Sequence, residues 1–430
     1  MSGPTWAGVF AVLAAFLAPT AAAQEFAISS PNFPDPNEFR CPGGITTGPD
    51  GALWFTEEAT SRIGRMTPAG VVTGEFPVLA TSSPLPCSDP SFVSPLDQIT
   101  TGPDGELWFT QPRDNKIGRI TVAGVLDPPN GFTVPLADTR PEGITVGPDG
   151  NLWFTTANAL LIGRITPAGA FTMYGPTGAG PSDIAAGADG RIWFTESIAN
   201  RIGALATNAA AQPGTAISYF SQGLTGASDP SGITPGPGGG LWFTESAANQ
   251  IGLISTAGSI TEFPGAGAGP SAIAVGRDGA LWFTESEAGA IGRITTGGLI
   301  TNHFPLTPGS EPSDITAGPD GAVWFSESAG NRIGRIDTTP PAAAAPTLPA
   351  FQPLLRRRAR KCTVPKLKGL TVKKAKRRLR RARCKFRVRG KGKVVSSSPK
   401  AGKRTAKRVQ VKAKRKRAGA KQERREGARR

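Results

Sequence analysis

GPDGALWFTE, residues 48–57, returns as GPDGELWFTQ at 102–111, GPDGNLWFTT at 147–156 and GPDGAVWFSE at 318–327. Its Trp-Phe pair occurs seven times, at Trp54, Trp108, Trp153, Trp193, Trp242, Trp282 and Trp324, at intervals of 54, 45, 40, 49, 40 and 42 residues. A repeat of that period is the signature of a solenoid or a propeller.

Each unit is written in four short runs rich in Ile, Thr, Trp and Phe, the composition of strands. Pro-Asp-Gly separates the first two runs and Ala-Gly or Gly-Gly the last two, and both pairs accept the positive φ of tight hairpin turns. Adjacent Trp and Phe point to opposite faces of a strand, so both faces of each sheet are buried. A propeller blade held between two neighbours meets that condition. The glycine of the third run, Gly64 in the first unit, is expected to let the adjacent sheet approach closely. After Ile333-Gly334-Arg335-Ile336 the chain enters TTPPAAAAPTLPA, so the seventh unit lacks a fourth run. QEFAI, beginning at Gln24, can supply it and close the ring, leaving no open edge. The expected fold class is all-β: a seven-bladed β-propeller of four-stranded blades over residues 24–338, in a monomer.

Ahead of the propeller, Ala7 to Ala18 is a nearly pure apolar run, and Ala21-Ala22-Ala23 fits a small-residue cleavage site. Residues 1–23 thus read as a signal peptide, its apolar run short for a span of about 20 residues, leaving no transmembrane helix after cleavage; the alternative is an uncleaved N-terminal anchor. Four cysteines in an exported chain predict two disulfides, one joining Cys41 and Cys87 and one joining Cys362 and Cys384. Structural zinc is disfavoured, because no CxxC occurs and His303 is the one histidine.

Charge divides the chain sharply. Of its 49 Lys and Arg, 35 lie between Arg356 and Arg430 against Glu423 and Glu426, so that segment carries a formal +33 and the rest −16.

The combination P-x-x-I-T-x-G-P-D-G-x-L-W-F-T-E, then N-x-I-G-R-I-T, then I-T-E-F-P resembles the streptogramin B lyase (virginiamycin B lyase) family over about residues 24–338. The resemblance implies a seven-bladed propeller that linearises a cyclic antibiotic by metal-assisted elimination at its lactone, with a histidine base and glutamates holding Mg²⁺. Where that family keeps two histidines after the prolines of late blades, this chain has Ser271 and Ser313. The metal glutamates correspond to Glu311 and Glu327. A serine hydroxyl accepts no proton near neutral pH without a base beside it. His303 falls on an outermost strand, the place of an ordinary surface histidine.

One face of the disc is expected to collect Glu57, Glu196, Glu245, Glu285 and Glu327 with Ser182, Ser231, Ser271 and Ser313, joined by Asp97, Glu142 and Glu311. Such a mouth suits a small polar ligand, a glycan or a hard cation. A glutamate repeated in five blades also has a structural reading, capping loop amides or pairing with blade arginines such as Arg65 or Arg335.

Residues 339–360 read as a linker, Pro/Ala-rich then basic, and 413–430 as a basic disordered tail. Between them, residues 361–412 resemble a PASTA domain, a small α+β module, in Val364-Pro365, Leu367, Gly369, a helix capped by Thr371 with Val372, Ala375, Leu379 and Ala382 on one stripe, and Pro399-Lys400-Ala401-Gly402. That resemblance implies peptidoglycan as partner, and the charge implies an anionic wall polymer. Nucleic acid is disfavoured, since Phe386 is the one aromatic of the basic region. Together these readings give a secreted or envelope-associated binding protein, with a lyase or lactonase of degenerate site as the alternative.

Overall fold

The computed structural model describes residues 22–28, 40–78, 94–209, 216–338, 362–382, 384, 386–389, 393–398, 400, 404–405 and 409–414. Most of the expected signal peptide, the linker, Cys87 and the tail beyond Lys414 lie outside them. The chain divides into two compact units, Met1–Ala344 and Ala345–Arg430.

In the first unit the described residues form seven four-stranded antiparallel sheets. The first strands of successive blades, such as Pro141–Val146, Pro181–Ala186 and Pro230–Pro235, neighbour one another around the axis. Gln24–Ala27 pairs antiparallel with Arg332–Ile336 and is the outermost strand of the seventh blade, as the missing fourth run requires. Glu25 reinforces the closure, accepting from the Thr307 backbone N–H at 2.8 Å and from Arg332 at 2.9 Å.

Each Trp-Phe pair is buried, and its two rings serve two interfaces. Trp54 packs in one cluster with Phe109 of the next blade, Trp108 with Phe154, Trp153 with Phe194, and so on to Trp324 with Phe55, which closes the circle. Burying such a ring is worth about 1.5–3 kcal/mol, so these pairs supply much of the cohesion between blades.

Gly64 does something other than expected. A Cβ there would meet the Phe55 ring of its own blade at 2.2 Å, and Gly118, Gly163, Gly203, Gly252, Gly292 and Gly334 repeat the arrangement with their own phenylalanines. The glycine makes room for a ring on the neighbouring strand, not for the adjacent sheet.

At the turns between first and second strands, Pro-Asp-Gly in four blades, Ala188-Asp189-Gly190 and Arg277-Asp278-Gly279 in two others, six aspartates accept a hydrogen bond from the indole of their blade, as in Trp54 Nε1 to Asp50 at 3.1 Å and Trp324 Nε1 to Asp320 at 3.0 Å. The third-strand arginines pair with these aspartates, Arg65 with Asp50 at 2.8 Å and Arg335 with Asp320 at 2.7 Å, and lie over the same indoles. Arg65 and Arg335 are therefore partners of turn aspartates, not of the strand-end glutamates. The fifth blade has Gly238 and Leu253 in place of both charges, and its Trp242 Nε1 is buried without a partner.

The second unit has a helix, Val372–Arg381, whose N-cap Thr371 accepts from Lys374 N, and a three-stranded sheet in the order Phe386–Arg389, Val409–Lys414, Lys393–Ser398. Its core is Cys362, Val364, Leu367, Ala375, Leu379 and Cys384, with Leu370, Ala382 and Phe386 against it. Cys362 and Cys384 form the expected disulfide around the helix. Cys41 is also disulfide-bonded. Among the described residues no helix is long and apolar enough to cross a membrane.

Candidate functional site

The first strand of a blade starts with Pro, then two residues, then Ile, and in six blades a β-bulge falls between that Pro and that Ile. The extra residue interrupts alternation, so both intervening side chains can reach the axis. The second-strand Thr secures the bulge. In the fifth blade Thr244 Oγ1 accepts from Gly232 N at 2.8 Å and donates to the Ser271 carbonyl of the next blade at 2.7 Å. Thr56, Thr155 and Thr195 do the same, and Ser326 donates to the Gly43 carbonyl across the closing interface.

These bulges line an axial cavity of about 190 Å³, whose walls carry Ser182, Ser231, Ser271 and Ser313 together with Asp97, Glu142, Asp183 and Asp314. The serines, Asp97 and Glu142 stand where the sequence puts them. Asp183 and Asp314 are additions. Each accepts two backbone hydrogen bonds, one from its own blade and one across to another: Asp183 from Ile184 at 2.7 Å and Ile233 at 2.8 Å, Asp314 from Ile315 and Ile45 at 2.8 Å.

Burial pushes all four carboxyls upward, Asp97 and Asp183 to about 6 and Glu142 and Asp314 to about 7. Charge on Asp97 adds to the rise at the other three, while the backbone donors on Asp183 and Asp314 work against it. Glu58, half-buried, is pushed to about 8 by desolvation and by the charge on Asp97. Arg140, 3.2 Å from Glu142, is the cation at this rim that lowers Asp97 and Glu142. The mouth is thus rich in hydroxyls and in carboxyls poised to hold protons near neutrality.

Ser271 and Ser313 are tied to the scaffold hydroxyls, Ser271 Oγ to Thr284 Oγ1 at 2.7 Å and Ser313 Oγ to Ser326 Oγ at 2.8 Å. No imidazole stands near them. His303 lies exposed on the outermost strand Ile300–Pro305, as expected, and its ring meets the buried Glu285 at 2.8 Å.

The strand-end glutamates turn away from the mouth. Glu57, Glu196, Glu245, Glu285 and Glu327 are at most 1% exposed and meet groups on the outer strands or loops. Glu57 shares Arg40 with Glu75, Glu245 is influenced by Glu262, and Glu327 by Glu25. Glu196 and Glu285 cap loop amides, accepting from Gly178 N at 2.8 Å and Gly267 N at 2.7 Å. Glu327 has neither oxygen hydrogen-bonded, and burial raises it to about 8.

Glu311 lies beside Pro312, the register partner of Glu327, and is exposed at φ 48°. The corresponding positions include Gly180 and Gly269, as a left-handed conformation favours, but also Cys41, Arg140 and Asp229. Among the described residues no group of three or more His, Cys, Asp or Glu is arranged to hold a metal ion.

Comparison with known proteins bears directly on this geometry. The virginiamycin B lyase family model matches residues 89–213 and 211–343. The chain belongs to the virginiamycin B lyase family. Virginiamycin B lyase from Staphylococcus aureus is 36% identical, over 73% of this chain and 98% of that one, with a TM-score of 0.61. A catalytically inactive histidine-to-alanine variant of that enzyme, solved with quinupristin, is 35% identical over 73% and 98%, with a TM-score of 0.62. A streptogramin B lyase structure is 34% identical over 73% and 97%, also at 0.62. The PASTA domain model matches residues 363–412. No curated protein matches the chain.

Proposed function

We propose that this family member is an exported, envelope-associated binding protein whose mouth takes a small polar ligand or glycan and whose PASTA module holds it to the wall. The observation that carries this reading is the pairing of Ser271 and Ser313 with Thr284 and Ser326. At the positions of the family histidines it provides hydroxyls already engaged in the blade framework and no imidazole. The loss of activity in the histidine-to-alanine variant of the Staphylococcus aureus enzyme agrees with a need for imidazole in that relative. The serines and raised carboxyls offer donors and acceptors to sugar hydroxyls or an amine.

The buried carboxyl of Glu327, whose oxygens lack hydrogen bonds, with Glu311 beside its register partner, favours the second reading in part, because such oxygens suit a hard cation that displaces the proton. Mg²⁺ would be held by Glu311 and Glu327 and would polarise a lactone carbonyl as a Lewis acid. Two carboxyls, one fully buried and one exposed, would leave most of the ion's coordination to water, and neither brings an imidazole.

Full-length protein incubated with a streptogramin B antibiotic and Mg²⁺ is expected to leave the lactone intact by mass spectrometry. Linearisation abolished by Glu311→Ala would establish the lyase reading instead. Calorimetric titration with glucosamine oligomers tests the mouth: Asp97→Asn should weaken binding at least ~10-fold, about 1.4 kcal/mol. Equal affinities would remove the mouth as the site.

A further inference from the structure

The helix Val372–Arg381 buries only Ala375 and Leu379. Seven of its ten residues are Lys or Arg, and at 100° per residue Lys373, Arg377 and Arg381 form a row on the side opposite those two. The sheet adds a second basic surface. Phe386 packs against the core, so alternation turns Arg387 and Arg389 outward, and Lys412, the register partner of Arg389, joins them. All three are exposed. Between Asp337 and Glu423 the chain has no Asp or Glu to offset this charge.

We propose that the module binds a linear phosphodiester polymer lacking bases, on two opposed basic faces that can engage two strands or one that wraps. This deepens the envelope-binding reading and rests on it. Guanidinium forks match phosphate oxygens bidentately, and a row of cations about 6 Å apart along a helix suits a repeating anion. Peptidoglycan carries sparser carboxylates with amines beside them. A membrane surface touches one side only, and the helix has no free apolar face to insert into lipid. Phe386, turned into the core, offers no platform for stacking nucleic-acid bases.

The test uses the full chain and synthetic poly(glycerol phosphate), with affinity measured from about 50 to 200 mM salt. Binding should weaken steeply with salt. Lys373→Gln/Arg377→Gln/Arg381→Gln and Arg387→Gln/Arg389→Gln/Lys412→Gln should each reduce the slope of log K by about 2, taking ~0.7 per phosphate contact, and the losses should add. Circular dichroism and the intact disulfide check that both variants fold. A slope unchanged in either triple variant overturns the two-faced mode. Single-stranded DNA bound 10-fold more tightly would assign the surface to nucleic acid, and tighter binding to anionic vesicles would assign it to membrane. Peptidoglycan stripped of phosphate polymers separates the two levels of the argument. If it binds as well as intact wall, the envelope reading stands and the phosphodiester inference fails; if neither wall preparation binds, both fail.

Discussion

The two faces of the propeller use aspartate in opposite ways. At the turns between first and second strands, burial works to raise Asp50, Asp149, Asp189 and Asp320, yet hydrogen bonds from the indoles and from arginine or asparagine neighbours outweigh it and hold these carboxyls below their ordinary range. At the mouth, burial dominates, and Asp97, Asp183 and Asp314 rise. One face repeats a closed network that joins the turn, the indole and the third strand; the other leaves its carboxyls short of counter-charge and varies from blade to blade. Regularity marks the scaffold, and departure from it marks where a ligand would be met.

The largest test of the scaffold side is Trp108→Ala. It empties the space between the second and third blades, where the ring packs against Phe154 and stacks on Phe132. Loss of about 3–5 kcal/mol in urea unfolding is expected, whereas Ser231→Ala at the mouth should change stability by less than about 0.5 kcal/mol. Comparable losses would erase the distinction between the faces. A finer version compares Trp324→Phe with Trp242→Phe. Both lose similar ring volume, but only Trp324 gives up a hydrogen bond to a charged aspartate, so it should cost more by about 1.5–3 kcal/mol. Equal costs would mean that the turn aspartates do not stabilise the indoles.

Much of this was legible in the sequence because the fold is itself a repetition. Trp-Phe adjacency gives two buried faces, and the missing seventh fourth strand points to Gln24–Ala27. The direction of the strand-end glutamates was encoded as well: Glu57 is two residues from Phe55, shares its face, and so points into the blade stack. What spacing does not encode is the bulge. Strict alternation would put Asp183 and Asp314 on the face opposite Ser182 and Ser313; one extra residue, held by Thr195 and Ser326, brings them to the same cavity. His303 was assigned correctly to an outer strand, but its contact with Glu285 depends on the neighbouring Gly292, which leaves the crossing open.

The opposed shifts predict opposed pH limbs. A carboxyl lowered by folding stabilises above its unfolded pKa and loses that contribution in acid, so the turn aspartates produce a fall below about pH 4. A carboxyl raised by folding binds more protons folded than unfolded. Its contribution is fully present below the unfolded value near 4 and is lost as pH rises through its folded value, here about 6 for Asp183. Thermal melts should therefore decline from pH 4 to 8, and Asp183→Asn should flatten that decline, with Asp97 and Asp314 still contributing. A profile as steep in the variant as in the parent would show that Asp183 titrates alike in both states.

The smallest effect is the most direct test of departure as function. Glu311 holds φ 48° where two other blades place glycine. For an L-residue the left-handed conformation costs about 1–2 kcal/mol, and glycine removes that cost while giving back roughly 0.4–1 kcal/mol through a freer unfolded chain. The balance is positive, so Glu311→Gly should stabilise the propeller by about 0.5 kcal/mol, read as a higher urea midpoint at unchanged slope. Ser328, which donates to the Glu311 backbone carbonyl at 3.1 Å from its N–H, keeps that bond in the variant. A stabilised protein with weakened ligand binding or diminished Mg²⁺ uptake would show that the side chain is retained against the preference of its backbone. A destabilised one would mean that the carboxylate supports the loop, and Glu311 would then belong with the scaffold.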